Sequence, residues 1–527
     1  MKNILIGCAW PYANSSLHLG HLAALISGDV IARYNREVGN NVIFVSGTDC
    51  HGTPITERAK KEKVSPKDIA ERYHKEFKEV FEKMQFSYDL YTKTEDEYHK
   101  EKVKELFRKI YDNGFIEERE DDDIFCEKCN KFLADRELRL TCPKCKEESK
   151  GDQCDCGYVF TKEDLKKSTC AECGSNVTVR KNKNLYLLLT KLQPEIEAYV
   201  NIYKQSWRKN SQNETAKYLK EGLIDRAVTR NLDWGIDIPV DGFADKKMYV
   251  WIDAVLGYIT AAMKVCEERN ISFEDFWKNK DGVEQDVYMV HGKDNITFHT
   301  IIFPGLLLAL KDNYNLPNKI VSTEYLNFND QKFSKSKGIG LTILEALDLY
   351  NVNTLRFHLI KNGPENKDAN FVEEEYKATH NEITNKLGNF INRTLKYKGL
   401  TEIKKANMDK EVEEYLKNTY SEISKCMDNN EFRNYAIKVI ELLDYANKYY
   451  DEKKPWVLFK EDMDEFINVI YTCANIIANI ANVIYPLMPE VTDKINNYLN
   501  KEENKWEYVE LKEDLELKNI EPLFTRM

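Results

Sequence analysis

Two histidines one helical turn apart, His18 and His21, stand in the stretch WPYANSSLHLGHLA (residues 10–23), with Gly20 directly before the second. The stretch follows an apolar run, Ile4-Leu5-Ile6, and reads as the start of a helix. Glycine keeps one side of the first turn bare, so a nucleotide can lie against it, and the helix N-terminus adds partial positive charge toward phosphates. At i and i+3 the two imidazoles could donate to phosphate oxygens as charge develops there. Far along the chain, KFSKSKG (residues 332–338) is a loop rich in lysine and serine. A mobile cationic loop closing over a triphosphate supplies the charge that phosphoryl chemistry needs. Alone, the first stretch is equally a helix start with two surface histidines, and the second an ordinary solvated loop. Together they favour nucleotide chemistry.

A second set of reactive side chains is more compact. Of 13 cysteines, five (Cys8, Cys50, Cys266, Cys426 and Cys473) are scattered, and the rest form pairs: Cys126 and Cys129, Cys142 and Cys145, Cys154 and Cys156, Cys170 and Cys173. Two thiolates two residues apart can bite one Zn²⁺ from a tight turn, and two such turns complete a tetrahedron. The pairs sit among Lys, Glu, Asp and Gly rather than apolar residues, so they predict two structural zinc ions rather than core packing. Eight residues separate the inner pairs, enough for one knuckle, with the outer pairs closing around them; sequential pairing is the alternative. Cys154-x-Cys156 departs from the usual spacing. Nothing among the pairs suggests the open position of a catalytic zinc.

These groups need elements to hold them. At 527 residues the chain exceeds what one core organises, and 42% hydrophobic with 31% charged residues describes a globular protein. No apolar stretch reads as long enough to span a bilayer, and Pro11 cuts the N-terminal apolar run too early for a secretory signal, so a cytosolic protein is expected. The net charge of −11 argues against a surface basic all over, without excluding a local basic groove. Ile4–Cys8 predicts a buried strand, a helix follows from Ser16 to Val38 with Gly39 closing it, NVIFVSGTD is a second strand, and Ser65–Met84 a charged helix. The acidic run EEREDDD (residues 117–123) marks a shift into the cysteine-rich insert. From about residue 375 the chain turns helical; Val469, Ile470, Cys473, Ile476, Ile477, Ile480, Val483 and Ile484 share one face, and Pro486 stops the run. The predicted class is α/β: a Rossmann-type doubly wound parallel sheet split by a zinc-knuckle insert and followed by a C-terminal α-helical bundle.

With those elements in place, the combination of HLGH and KFSKS resembles the two signature motifs of class I aminoacyl-tRNA synthetases. AWPYANSSLHLGH, SGTDCHGTP, YVWIDAVLGYI, HGKDNITFH and the cysteine insert together resemble the methionyl-tRNA synthetase family, over about residues 3–500. The four-pair insert is most similar to the archaeal-type members. The resemblance implies a first half of the catalytic domain at 1–116, an insert at 117–229, a second half at 230–326, a linking region carrying the KFSKS loop at 327–375 and an anticodon-binding bundle at 376–527. It implies that methionine attacks ATP to give methionyl-adenylate and pyrophosphate, and that the 3′-terminal adenosine of tRNA(Met) then takes the methionyl group. By position, His18, Gly20 and His21 would face ATP, Lys335 would be the key lysine with Lys332 assisting, and Mg²⁺ would accompany the triphosphate.

The same resemblance assigns Asp49 to the substrate's ammonium group and Arg230 to that carboxylate's neighbourhood. Trp10, Tyr12, Trp251, Ala254, Tyr258 and His299 would enclose the thioether, and aromatic rings suit a soft, polarisable sulfur. Val255 stands where many members have proline, and Asn295 where bacterial ones often carry an aliphatic residue. Asn389 and Arg393, at i and i+4, and Trp456 would read anticodon bases, with stacking on the indole. Some relatives append a domain that dimerises them; none follows the bundle here, so a monomer is expected, with a separate tRNA-binding protein as a conceivable partner. Two rivals differ in what they predict. A non-catalytic zinc protein binding nucleic acid gives His21 and Lys335 no role, and a class I enzyme for leucine, isoleucine or valine usually carries a much larger editing insert.

Overall fold

The computed structural model describes residues 1–133, 137–150, 154, 158, 160–329, 331, 340–517 and 520–525. Its centre is a parallel sheet of five strands. β1 (Asn3–Cys8), β2 (Asn41–Thr48) and β3 (Leu90–Lys93) run outward in one direction. After an insert containing β4 (Ile116–Cys126) and β5 (Thr178–Leu187), the chain returns as β6 (Gln285–Gly292) and β7 (Lys319–Thr323). The spatial order is β7-β6-β1-β2-β3, with every neighbouring pair parallel.

Both faces of this sheet are covered, which is why β1 and β2 read as continuous apolar runs rather than alternating ones. Ile4, Ile6, Cys8, Val42 and Phe44 pack on α1 (Leu19–Val38), in a core that continues into the C-terminal helices. Leu5, Ile43, Val45, Val287 and Met289 point the other way, onto Ile252, Leu256 and Ile259 of α2 (Val250–Arg269). The period-two geometry of strands sorts one apolar run into two cores. The predicted first strand and helix are present, but α1 starts at Leu19, not Ser16. Leu17 is instead engaged by the Ile343 backbone N–H (2.9 Å), and His18 becomes the helix cap. Gly39 closes α1 at φ +88°, a left-handed cap that glycine adopts without strain.

The acidic run EEREDDD is extended strand. It lies within β4, which pairs antiparallel with the lysine-rich β5, so that Lys183 meets Glu118 at 2.7 Å and Lys181 meets Asp122 at 2.9 Å. Opposite charges across neighbouring strands neutralise what looks, in sequence, like a repulsive block. The C-terminal part is helical, with α3 (Val352–Asn362), α4 (Lys410–Asp428), α5 (Phe432–Lys453), α6 (Met463–Ile484) and α7 (Pro489–Leu499) among its elements. One expectation needs correcting. α6, at 22 residues, is long and apolar enough to cross a membrane; the protein itself buries 89% of its apolar window, and α6 is the core helix of the bundle.

Candidate active site

The sheet's strand order reverses between β1 and β6, and a cavity of about 570 Å³ opens beyond the carboxyl ends of these strands. A crevice at such a switch point is the usual ligand site of open α/β sheets. Residues following β1 (Trp10, Pro11, Tyr12, Asn14), the start of α1 (His18, Gly20, His21), Trp251 of α2 and residues following β6 (Asp294, Asn295) line it.

The geometry at the start of α1 fixes how the two histidines present themselves. The Gly20 backbone N–H donates to His18 Nδ1 at 3.1 Å, and the His18 backbone N–H donates to His21 Nδ1 at 3.2 Å, a reciprocal capping box. Because both Nδ1 atoms accept, each ring carries its proton on Nε2. The site therefore has two imidazole N–H donors beside a helix N-terminus.

The aromatic side chains form two contacting groups, of which Trp10, Tyr12 and Trp251 line the cavity. Tyr12 meets Trp251 edge-on at 5.7 Å, and Trp251 stacks on Phe298 at 4.1 Å. Tyr258 is edge-on to Trp10 at 6.5 Å, and its Oη lies 2.8 Å from His299 Nε2. His299 Nδ1 is 2.8 Å from the Asn295 carbonyl, which can only accept. Nδ1 thus carries the proton, Nε2 accepts, and the Tyr258 hydroxyl donates. Burial pushes the His299 pKa down to about 4, which keeps the ring neutral. Ala254 and Val255 are buried on α2. Trp10 Nε1 and Asn295 Oδ1 are buried without a hydrogen-bond partner among the described residues, two polar atoms available at the cavity.

Asp49 follows β2 and is buried, its backbone tied to the Pro11 carbonyl and the Ala13 N–H. Burial and the nearby Asp253 push its pKa well above the usual carboxylate range, while His51 opposes them. His51, Asp253, Glu95 and Trp234 surround this corner, and none was singled out from the sequence. His51 and Asp253 do lie inside quoted motifs, but they are 202 residues apart, and no local spacing joins them. Arg230 stands elsewhere. Its guanidinium donates to the Ala227 and Thr229 carbonyls (3.0 and 2.9 Å), lies over the Tyr249 ring at 4.1 Å, and lines a separate crevice shared with Asp123 and Tyr186.

Lys332 and Lys335 lie outside the described residues. The segment's flanks are placed, however. Asn327 lines the cavity, Gln331 pairs with Phe328, and Thr342 pairs with His18 at the cap of α1. Distant from this site, Asn389 is exposed and Arg393 bonds Asp451 (2.8 Å) and Asn447 (2.6 Å) while covering the Tyr450 ring. Trp456 is 45% exposed, with its ring 6.1 Å from that of Tyr450.

The cysteines segregate into two groups beyond the base of the insert. Cys126, Cys129, Cys170 and Cys173 have their sulfurs within 4.8 Å of one another, and so do Cys142, Cys145 and Cys154; Cys156 falls outside the described residues. The outer pairs thus close on each other, the nested arrangement. Sulfurs about 2.3 Å from a zinc at tetrahedral angles stand about 3.8 Å apart. The Cys126–Cys173 and Cys129–Cys170 separations of 3.5 and 3.9 Å fit that geometry.

Residues 4–395 match the family model described as tRNA synthetases class I (M), and residues 401–522 match the anticodon binding domain of methionyl tRNA ligase. The chain belongs to the methionyl-tRNA synthetases. It is 42% identical over 531 residues to methionine–tRNA ligase 1 of Alkaliphilus oremlandii, covering 100% of this chain and 97% of that one. To the methionine–tRNA ligase of Bacillus mycoides it is 41% identical, with the same coverage. The Streptococcus pneumoniae methionine–tRNA ligase is 42% identical over 514 residues, 96% of this chain and 93% of that one. The fold of this synthetase superposes on Mycobacterium tuberculosis methionyl-tRNA synthetase in complex with methionyl-adenylate with a TM-score of 0.81 at 24% identity, covering 100% of both chains.

Proposed function

We propose that the cavity beyond β1 and β6 is where this methionine–tRNA ligase activates its amino acid, and that the residues singled out from its sequence divide the work. Methionine's carboxylate attacks the α-phosphorus of ATP, the bond to the leaving pyrophosphate breaks, and methionyl-adenylate forms; the methionyl group then passes to the 3′-terminal adenosine of tRNA. No protein nucleophile takes part, so the rate comes from positioning and charge stabilisation. One observation carries this reading. Two histidines locked as Nε2–H donors line the same cavity as Trp10, Tyr12 and Trp251, at the switch point of the sheet.

In this reading His18 and His21 donate to phosphate oxygens, with the α1 N-terminus behind them and Gly20 leaving room for the nucleotide. Lys332 and Lys335, which fall between Asn327 and Thr342 in the sequence, supply cationic charge, and Mg²⁺ arrives with the triphosphate. Asp49 takes the methionine ammonium, while Arg230, whose guanidinium lines a separate crevice, stays outside this division of work. Trp10, Tyr12, Trp251, Ala254, Tyr258 and His299 enclose the thioether, and Asn389, Arg393 and Trp456 receive anticodon bases. The two cysteine groups would each hold a structural Zn²⁺, with Cys156 completing the second set.

Amino-acid-dependent ATP–pyrophosphate exchange, run against all twenty amino acids without tRNA, tests the reading. Exchange with methionine alone, lost in Lys335→Ala, is the expected result. Exchange with another amino acid would keep the class of chemistry but move the pocket assignment, with Val255 and Asn295 the first positions to examine. Absence of exchange from folded, zinc-replete protein would overturn it.

A further inference from the structure

The carboxylate assigned to the substrate's ammonium group sits in a buried cluster that the reaction as described does not use. His51 is 1% exposed, with Nδ1 2.8 Å from Asp253 Oδ2 and Nε2 2.9 Å from Glu95 Oε2. Its own backbone N–H donates to Asp49 Oδ1 at 3.2 Å. The Trp234 ring packs 5.6 Å from the imidazole, and its Nε1 donates to the Cys50 carbonyl at 2.6 Å, closing the corner from outside. Ionised carboxylates only accept, so two carboxylates on two ring nitrogens need two N–H groups, and neutral imidazole has one.

We propose that His51 is a positioning residue for methionine activation: clamped as an imidazolium between Asp253 and Glu95, it opposes the burial and the Asp253 repulsion that disfavour the Asp49 anion, so that Asp49 is ionised when it meets the substrate's ammonium group. This inference rests on the assignment of Asp49 made above. The charge count shows why the cluster needs it. Asp49, Asp253 and Glu95 are three acids in one corner. Glu95 has Lys100 as a second partner at 2.6 Å, whereas Asp49 and Asp253 are fully buried with His51 as the cation between them. His99 adds no charge: burial and the neighbouring His51 press its pKa down to about 3. Burial alone would lower the His51 pKa too, but Asp253 and Glu95 overcome it and hold the ring at about 9. Without that charge, the cheapest relief for two crowded buried carboxylates is a shared proton, and a protonated Asp49 no longer attracts an ammonium group.

Pyrophosphate exchange measured from about pH 6 to about 9.5 separates this from a packing role. In His51→Gln the acid limb of kcat/KM for methionine moves to higher pH. KM for methionine rises about tenfold for each pH unit by which that limb passes the assay pH, while KM for ATP holds. Adding Asp253→Asn to His51→Gln removes the orphaned carboxylate and brings the limb back. An unmoved limb in His51→Gln, or a double variant no better than the single, overturns the proposal. Should His51→Gln fail to fold, Asp253→Asn alone carries the test, since it moves the limb to lower pH; an unmoved limb again overturns it. Asp49→Asn keeps the two readings apart. If it retains the wild-type KM for methionine, the assignment of Asp49 falls; if it loses methionine while His51→Gln keeps its limb, only this inference falls.

Discussion

The Trp10 indole lies against β2 on one side and α2 on the other, and a glycine makes room on each. A Cβ on Gly47 would stand 2.7 Å from the ring, and one on Gly257 would stand 2.6 Å from it. Neither contact is tolerable, and the ring is too enclosed to yield without moving Tyr258, which it meets edge-on. Gly257→Ala is therefore expected to cost about 1–3 kcal/mol in urea denaturation and to raise KM for methionine more than KM for ATP. A variant with wild-type KM for both substrates would show that the position of Trp10 does not set the amino-acid pocket. At this scale the motifs were informative where chemistry is local. Trp10, Tyr12, His18, Gly20, His21 and Trp251 were all singled out from the sequence, and all line one cavity. What stayed hidden is the pairing of buried charges, because His51 finds its acids 44 and 202 residues away and a carboxylate in a helix turn carries no mark of its partner.

Between elements, a buried ion cluster joins the helix that presents the histidines to the C-terminal bundle. Asp29 of α1 accepts from Arg33 at 2.8 Å and from Arg356 of α3, and its other oxygen takes the Ser87 N–H and hydroxyl at 2.6 and 2.7 Å. The Arg356 guanidinium also donates to the Met84, Leu487 and Pro486 carbonyls, at 2.9 to 3.1 Å. One side chain thereby ties α1, the end of the helix at Pro66–Lys83, and the turn after α6. Burial penalises the Asp29 anion, but Arg33 and Arg356 outweigh it and hold its pKa far below the ordinary carboxylate range. Arg356→Leu removes one cation from a buried charge and leaves three carbonyls undonated, so a loss of about 3–5 kcal/mol is expected by chemical denaturation. Adding Asp29→Asn should recover part of it; a loss under about 1 kcal/mol would show that Arg33 alone suffices. The helices and strands meeting here were legible from periodicity. Their docking was not, because Arg356 and Asp29 look like ordinary polar positions until the fold makes them neighbours.

Across the whole molecule, histidines pull stability in opposite directions with pH. His99, His299 and His358 are buried, His74 is half-buried, and all four are held neutral, with pKa values lowered to about 3, 4, 4 and 4, so the unfolded chain binds protons that the folded one refuses. Their contribution is complete above about pH 6.5 and lost as pH falls toward 4. His51, raised to about 9, contributes fully below about pH 6.5 and loses that contribution as pH rises through 9. Tm is expected to fall on both sides of a near-neutral maximum, and His51→Gln should flatten the alkaline side alone. Differential scanning calorimetry across that range checks both limbs, and an alkaline limb unchanged in His51→Gln would remove His51 from the account.

The insert obeys a different rule, because among the described residues its tip holds only a small buried apolar cluster. The β4–β5 stalk is anchored at its base, where Phe115, Ile116, Leu185 and Leu187 join the core around α2. Beyond the stalk the buried apolar cluster is Leu140, Cys142, Cys154 and Phe160, of which two are themselves candidate ligands. A cluster that small offsets little of the entropy of ordering the chain around it, and the two cysteine groups could supply the rest by holding metal ions. Elemental analysis is expected to find about two zinc ions per chain, and Cys126→Ser about one. Chelation should then raise amide exchange across residues 126–173 while the parallel sheet, whose two cores include none of these cysteines, keeps its protection. Exchange spreading into β1 and β6 on chelation would show that the insert supports the catalytic core. Protection of the tip unchanged after metal loss would mean that the eight thiols pack without an ion.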